Sequence, residues 1–216
     1  MGDETETRMS VEQVEPANSR RQRRWQDVHD RLYDAACELF LESDFVSTSV
    51  DEIAERADVA RKTAYNHFPR KRDLISEWGR RRRLFVQGEL SEEVVATHSF
   101  EDVLRHYFRA LVKINQVQRP LTIRMLMGWR ESGGPFDVDP HLLVEVFRDI
   151  TARAVDRGEL RASTDPARVA TILYSCYFGI LYEWVAGSDQ EAPFDLAQAY
   201  TQLLDLTFEG LLERPA

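Results

Sequence analysis

The sequence predicts an all-α fold, and three observations support that prediction. Apolar residues recur at helical spacing along most of the chain, as in Val28, Leu32 and Leu39. Serine, aspartate and proline stand where such segments begin, and glycine or proline stands where they end. No segment alternates polar and apolar residues as a strand does, and no internal repeat is present. With 216 residues and 43% hydrophobic content, the chain can form one small and one larger domain.

The first 24 residues are predicted to be a disordered arm that becomes basic toward its end. Residues 1–19 are polar, lack an apolar period and contain Pro16. The segment SRRQRR, residues 19–24, is either a solvated run of charge or a phosphate-contacting arm, and both interpretations stay open. The first helix is expected over about Gln26–Glu42.

Two very short helices follow, separated by a turn of a few residues. Ser49 is a good N-cap for the first of them, and Glu52 three positions later completes a capping box. The second is expected over about Arg61–His67, because Pro69 then stops it. A longer helix begins near Lys71. Residues 25–75 are therefore expected to form one domain and residues 76–216 a larger helical one.

The larger domain carries its own helix signals. Ser99 is a predicted cap, Gly158 is a stop signal, and the Asp165-Pro166 pair is a strong start signal. The last two helices are expected over about Pro166–Ala186 and Phe194–Leu212. Both have broad apolar surfaces, which is typical of helices that are covered on more than one side.

Composition argues against several classes of protein. Cys37 and Cys176 stand far apart without a paired motif, which favours neither a disulfide framework nor a zinc site and fits a reducing cytoplasm. Val169–Val185 is too short for the usual membrane span of about 20 residues and carries Glu183, so burial between helices is favoured. The polar N-terminus does not resemble a signal peptide. No metal, cofactor or catalytic motif stands out.

Positive charge is concentrated in one part of an acidic chain. The net charge is −9, yet residues 17–83 contain 15 Lys and Arg against 12 Asp and Glu. A cluster surrounds the two short helices: Arg61, Lys62, Arg70, Lys71 and Arg72. Such asymmetry indicates a module that binds an anion.

Two short helices joined by a tight turn and braced by a preceding helix are typical of a helix-turn-helix. The second helix of that motif enters the major groove of DNA and presents its first residues to base edges. The stretch ARKTAYNHF, residues 60–68, has long hydrogen-bonding side chains at its start and apolar Ala64 and Phe68 for its inner face. The alternative is an ordinary helical hairpin with a basic face.

The segment LYDAACELFLESDFVSTSVDEIAERADVARKTAYNHFPRKRDLI resembles the DNA-binding region of TetR-family transcriptional regulators. Their pattern has a helix ending in LF, a second helix of the form TSVxxIA, a TxYxHF recognition helix and a KxxL start of the fourth helix. The resemblance covers about 50 residues, from Asp27 to Trp78. Asp44 and Asp58 stand where the family has glycine in left-handed turns, and Ala60 replaces the usual serine cap.

The resemblance implies roles for individual residues. Phosphate contacts are implied for Thr48, Tyr65, His67 and Lys71, and base contacts for Arg61, Lys62 and Thr63, with Asn66 as a further candidate. A histidine at position 67 could instead brace the first helix against the fourth. The run of residues 80–83, RRRR, is interpreted as a solvated face of the fourth helix.

The resemblance also implies a homodimer formed through the last two helices and an effector pocket in the larger domain. Aromatic, Met and isolated polar residues are the candidates for that pocket, although each of the apolar ones could equally be core or interface. Arg124 is the most notable, because a charge in an apolar stretch needs a partner; an acidic neighbour is the alternative to a ligand. The candidates are His106, Tyr107, Arg124, Met125, Trp129, Tyr174, Tyr177 and Trp184.

Three hypotheses of function follow. The favoured one is a cytoplasmic, ligand-responsive repressor that binds a palindromic double-stranded DNA operator and is released by a small hydrophobic or aromatic effector, without a cofactor or a membrane partner. An enzyme on a helical scaffold would need a catalytic constellation, which the sequence does not display. A helical interaction protein would show no salt-dependent binding to duplex DNA.

Overall fold

The computed structural model describes residues 17–89, 92–134, 142–186 and 191–210, and every regular element within these ranges is an α-helix. The all-α prediction is therefore confirmed. In chain order the helices are α1 (Ala17–Glu42), α2 (Val50–Arg56), α3 (Arg61–His67), α4 (Arg72–Glu89), α5 (Glu92–Thr97), α6 (Phe100–Val117), α7 (Arg119–Glu131), α8 (Leu142–Asp156), α9 (Pro166–Val185) and α10 (Leu196–Glu209).

The first helix begins earlier than the sequence predicted. Residues 17–24, assigned above to a disordered arm, form the first two turns of α1. Arginine and glutamine are good helix formers, and no Gly or Pro interrupts the segment after Pro16. Trp25 then anchors these turns by stacking on His67 of α3, with ring centroids 4.6 Å apart. The expected disorder of residues 1–16 lies outside the described residues.

Local signals determine the ends of several other helices as predicted. Ser49 accepts a hydrogen bond from the Glu52 amide, and the Glu52 carboxylate accepts one from the Ser49 amide, so the capping box is complete. Ser99 and Asp165 cap α6 and α9 in the same manner. Gly158 takes a positive φ of 75° beyond the end of α8.

The two aspartates that replace glycines behave differently from each other. Asp58 adopts the expected left-handed conformation, with φ of 52°, in the turn between α2 and α3. Asp44 does not, so the prediction for Asp44 was wrong. Its carboxylate instead accepts hydrogen bonds from the amide and hydroxyl of Ser47, 2.7 and 2.8 Å away, and so stabilises the turn without a positive φ.

Helix α4 belongs to both parts of the molecule. It packs against α1 of the N-terminal domain and against α6 and α7 of the larger domain. The sequence-based boundary between residues 75 and 76 therefore falls inside one continuous helix. Beyond it, α8 and α9 form the most extensive helix pair, and α10 closes the layer against α6 and α9.

Helix α9 lies within this helical layer. Leu173, Tyr177 and Leu181 are buried along one side, as expected for Val169–Val185. Across the described part of the chain, no helix combines the length and the hydropathy that a membrane span requires. Cys37 and Cys176 are free thiols, and both are half-buried.

The N-terminal domain and the larger domain also meet where Phe45 packs against Gly128. Phe45, from the loop between α1 and α2, is buried, and its ring occupies the space where a side chain at Gly128 of α7 would lie. A Cβ atom at position 128 would lie only 2.2 Å from Cγ of Phe45. On the other side, the ammonium group of Lys71 lies 4.7 Å from the ring centroid. The loop before α2, the start of α4 and α7 therefore meet at one aromatic ring.

We predict that Gly128→Ala destabilises the protein by roughly 1–3 kcal/mol, because the buried Phe45 ring must move to admit a methyl group. Gly88→Ala is the matched control, since the same methyl group on α4 meets no atom within 4 Å and should leave stability unchanged or slightly higher. Urea unfolding of both variants measures the difference. Equal stabilities for the two would contradict the packing described here.

Candidate nucleic-acid interface and effector cavity

Helix α3 has an exposed polar face and a small buried apolar face. Ala64 and Phe68 are buried against the rest of the N-terminal domain. The Arg31 guanidinium donates a hydrogen bond to the Ala57 carbonyl, 3.2 Å away, and so joins α1 to the turn before α3. As the sequence indicated, Ala60 provides no side-chain cap, and α3 begins with free amides near its outer face.

Most of the residues implied to contact DNA lie together on the outer side of α3. Arg61, Lys62, Tyr65 and Asn66 are exposed, whereas Thr63 is half-buried. The Arg61 guanidinium lies 3.1 Å from a carboxylate oxygen of Asp51 on α2. Because the arginine side chain is 72% exposed, this pair is screened by water and can exchange for another partner. The base-contacting assignments of these residues stay predictions.

Thr48 occupies a different environment from the one that its implied phosphate contact requires. Its side chain is buried, and its hydroxyl donates to the Asp44 carbonyl, 2.7 Å away. The Lys71 ammonium donates to the carbonyls of Val46 and Thr48, 2.8 and 2.9 Å away. Thr48 therefore shapes the loop, and Lys71 keeps one N–H for any outside acceptor.

His67 is half-buried, and its neighbours fit the alternative interpretation of a bracing residue. Its ring stacks on Trp25, and its Nδ1 atom lies 3.3 Å from Nδ1 of His29 on α1. Burial and the neighbouring His29 lower the pKa of His67. His29 in turn lies 3.6 Å from the Glu77 carboxylate of α4. A neutral, stacked imidazole fits a bracing role between α1 and α3 better than a phosphate contact.

The arginine run of α4 is not a solvated face, so that prediction was wrong. Arg80 and Arg81 both bind the buried carboxylate of Glu77. Burial alone would raise the pKa of Glu77, but these hydrogen bonds lower the pKa to about 2. Arg81 also pairs with Asp30 and stacks over Tyr33, which ties α4 to α1. The third arginine of the run, Arg82, points into the larger domain.

A small, partly open cavity lies beside Arg82, where α4, α6, α7, α8 and α9 converge. Its volume is about 40 Å³. Three of the proposed pocket residues contribute to its wall, namely Tyr107, Trp129 and Tyr177. The remaining lining residues are Trp78, Gly79, Arg82, Arg83, Leu111, Leu143, Phe178 and Leu181.

The other predicted pocket residues lie elsewhere. His106 lies 3.0 Å from the Glu89 carbonyl at the end of α4. Arg124 is half-buried near Asp44, whose pKa it helps to lower after the stronger effect of Ser47, so the acidic neighbour is the better interpretation. Met125 and Tyr174 are buried in the core, and Trp184 lies beneath the Arg119 guanidinium, 4.9 Å from its ring.

Arg82 is the residue that the sequence interpretation missed. Its side chain is 6% exposed, and its guanidinium donates to Oδ1 of Asn115 and lies near the Thr122 hydroxyl. A signal for this burial is present in the sequence. Arg82 follows Leu74 and Trp78 at successive steps of four and precedes Val86 by four, so it stands in the apolar stripe of α4.

The fold and the basic, exposed α3 define a DNA-binding regulator with a helix-turn-helix domain and a larger helical domain. Residues 32–78 match the model of the bacterial regulatory proteins of the tetR family. The N-terminal domain of this chain is therefore similar to the DNA-binding region of that family of transcriptional regulators.

Individual relatives agree with this assignment. The chain is 24% identical over 170 residues to the HTH-type transcriptional regulator SrpR of Pseudomonas putida, covering 77% of this chain and 79% of SrpR. It is 24% identical over 114 residues to the Tn10 TetC protein of Escherichia coli, where the match covers 51% of this chain and 58% of TetC. Among solved structures, the TetR-family repressor FadR of Thermus thermophilus with lauroyl-CoA has a TM-score of 0.70 and 27% identity, over 87% of this chain and 97% of that one.

We predict that Arg61→Ala or Lys62→Ala relaxes sequence preference at particular base pairs and costs roughly 1–3 kcal/mol for a lost bidentate contact. Tyr65→Phe should instead weaken binding to all sequences alike. Gel shifts with a set of operator point variants separate the two effects, and Arg153→Ala on the exposed side of α8 is the control. Uniform loss for Arg61 and Lys62 would contradict their assignment to bases.

Proposed function

We propose that the chain is a homodimeric repressor that binds a palindromic operator and is released by a small, largely apolar effector. The observation that carries this proposal is the exposed basic face of α3 on an otherwise acidic chain. Helix α4 connects this part of the molecule to the larger domain, which contains the cavity beside Arg82. In the proposed complex, Arg61, Lys62 and Asn66 face base edges. Tyr65 and the remaining N–H of Lys71 face phosphates.

Two-fold symmetry follows from the shape of DNA. Recognition helices of a dimer reach successive major grooves when they are about 34–36 Å apart, or a multiple of that distance. A monomer with one seven-residue α3 would contact only half of such a site. The operator is therefore proposed to be an inverted repeat.

The outer faces of α9 and α10 support the proposed dimer interface. Ile172 on α9 and Leu206 on α10 are large apolar side chains, 53% and 51% exposed. Along α9, Ile172 is followed at steps of four, three and four by half-buried Cys176 and exposed Gly179 and Glu183, which form one stripe. Burying such a stripe against its symmetry mate is the usual solution for an isologous dimer.

The effector is proposed to act through α4. A ligand pocket occupies about 300–1,000 Å³, whereas the cavity beside Arg82 is about 40 Å³. A ligand can enter only if the surrounding helices move apart, and α4 is one of them. Glu77 and Arg81 contact α1, and Lys71, just before α4, contacts the loop before α2, so movement of α4 changes the position of α3. The lauroyl-CoA of the FadR structure supports an effector with an apolar chain.

The proposed function is tested by footprinting the DNA upstream of the gene and by titrating the protected site at several salt concentrations. An inverted repeat should be protected, and affinity should fall steeply with salt because each phosphate contact releases condensed counterions. Adding fractionated cell metabolites should release the protein. Salt-insensitive binding, or protection without symmetry, would contradict the proposal.

We predict that Leu206→Glu converts the dimer to a folded monomer, because it places a charge in the proposed interface. Val117→Glu is the control, since Val117 is 77% exposed at the end of α6, away from that face. Leu204 on the same helix is 2% exposed, so Leu204→Glu should unfold the chain instead. Sedimentation velocity with circular dichroism distinguishes the three results. A dimeric Leu206→Glu variant would place the interface elsewhere.

A further inference from the structure

Arg82 is a buried cation whose contacts in the described structure are all neutral. Its guanidinium contacts Asn115, Thr122, the Gln118 side chain and the Tyr177 hydroxyl, and the ring of Trp78 lies 4.5 Å away. Among the described residues, each carboxylate that pairs with an arginine pairs with an arginine other than Arg82. The charge is therefore held by dipoles and a ring face alone.

Burying the Arg82 guanidinium without a negatively charged partner costs free energy of folding. Arginine stays protonated in proteins, so burial cannot be relieved by loss of the proton, although it does lower the pKa of Arg82. Asn115 and Gln118 lie at the end of α6, where the helix dipole gives partial negative charge. That charge is about half a unit and is shared with the helix carbonyls, so it offsets only part of the burial cost.

Two further donors beside Arg82 lack partners. Neither the Tyr107 hydroxyl nor Nε1 of Trp78 has a hydrogen-bond partner in the described structure, and both side chains are buried. Both residues line the same cavity as Arg82, together with half-buried Arg83. A guanidinium and an indole N–H only donate, and a phenol donates to an anion readily. The polar groups of this cavity therefore suit an acceptor with negative charge.

We infer that the effector is an amphipathic carboxylate, whose acid group binds Arg82 and whose apolar body lies among the aromatic side chains of the cavity. This inference rests on the proposed function and specifies its ligand. The apolar body fits between Trp129, Phe178 and Leu181 once the helices separate. The acid group pairs with Arg82, which belongs to α4. The ligand is therefore bound directly to the helix that follows α3.

Calorimetry with matched ligands on the full-length protein tests this inference. Decanoate is compared with decanamide, and 4-phenylbutyrate with 4-phenylbutanamide, below their aggregation limits; lauroyl-CoA is a further arm. At least one acid should bind the wild type at least about tenfold more tightly than its amide, as expected for a charge-assisted hydrogen bond in a buried site. In Arg82→Gln that ratio should fall to near one, while Arg153→Gln retains it.

A second variant keeps the inference testable if Arg82→Gln fails to fold. Tyr107→Phe removes a hydroxyl without a partner, so the fold should persist, and the acid should lose affinity while its amide does not. The inference is overturned if no acid binds, if acid and amide bind equally, or if the preference survives in Arg82→Gln. Binding of lauroyl-CoA alone, independent of Arg82, would also overturn it and would indicate recognition of the thioester or nucleotide instead.

Gel shifts of upstream DNA separate this inference from the proposed function. If DNA binds and only neutral compounds release it, the repressor proposal stands and the carboxylate site fails. If the acid binds through Arg82 but the protein binds no operator, the site stands and the repressor proposal fails.

Discussion

Helix α4 constrains the whole molecule, because its two ends are held by different domains. At its start Lys71 donates to the carbonyls of the loop before α2, and in its middle Glu77 and Arg81 bind α1. The next residue, Arg82, is buried in the larger domain. A continuous helix of 18 residues therefore connects the two domains. The proposed regulation requires that the position of α3 depends on how α4 packs in the larger domain.

Charge is arranged in three ways along the chain. On α3 the basic side chains are exposed and ready to exchange partners, as Arg61 is with Asp51. Around Glu77 the charges pair with one another, and the contacts of Glu77 with His29 and of Arg81 with Asp30 join α4 to α1. At Arg82 the charge is buried among neutral groups, and this arrangement is the basis of the inferred anion site. An acidic net charge is compatible with DNA binding because the positive charge is concentrated on one face.

The sequence predicted features that depend on neighbouring residues. The Ser49 capping box, the seven residues of α3 and the start of α9 after Asp165 all follow from local hydrogen bonding. Predictions that depend on three-dimensional neighbours were less successful. Asp44 formed an Asx turn, and the Thr48 side chain is buried. A heptad pattern shows which side of a helix is apolar, but not which of two neighbours covers it.

The predictions for the pocket were also limited by their dependence on three-dimensional neighbours. Tyr107, Trp129 and Tyr177 were identified because aromatic residues are common in pockets, yet the same argument selected Met125 and Trp184, which lie in other parts of the core. Arg82 was assigned to a solvated run because three arginines adjoin it. Its position in the apolar stripe of α4 carried the better signal, since a single cation in such a stripe must be accommodated in the interior.

Crowding the cavity with a larger side chain would test most directly whether its packing controls DNA binding. Leu181→Phe adds bulk inside a space of about 40 Å³ without any ligand, and Leu206→Phe adds the same bulk on the outside. Operator affinity is measured for both after circular dichroism confirms their helicity. The account predicts that Leu181→Phe weakens operator binding at least about tenfold, equivalent to about 1.4 kcal/mol of coupling, while Leu206→Phe does not. A folded Leu181→Phe protein with wild-type operator affinity would contradict it.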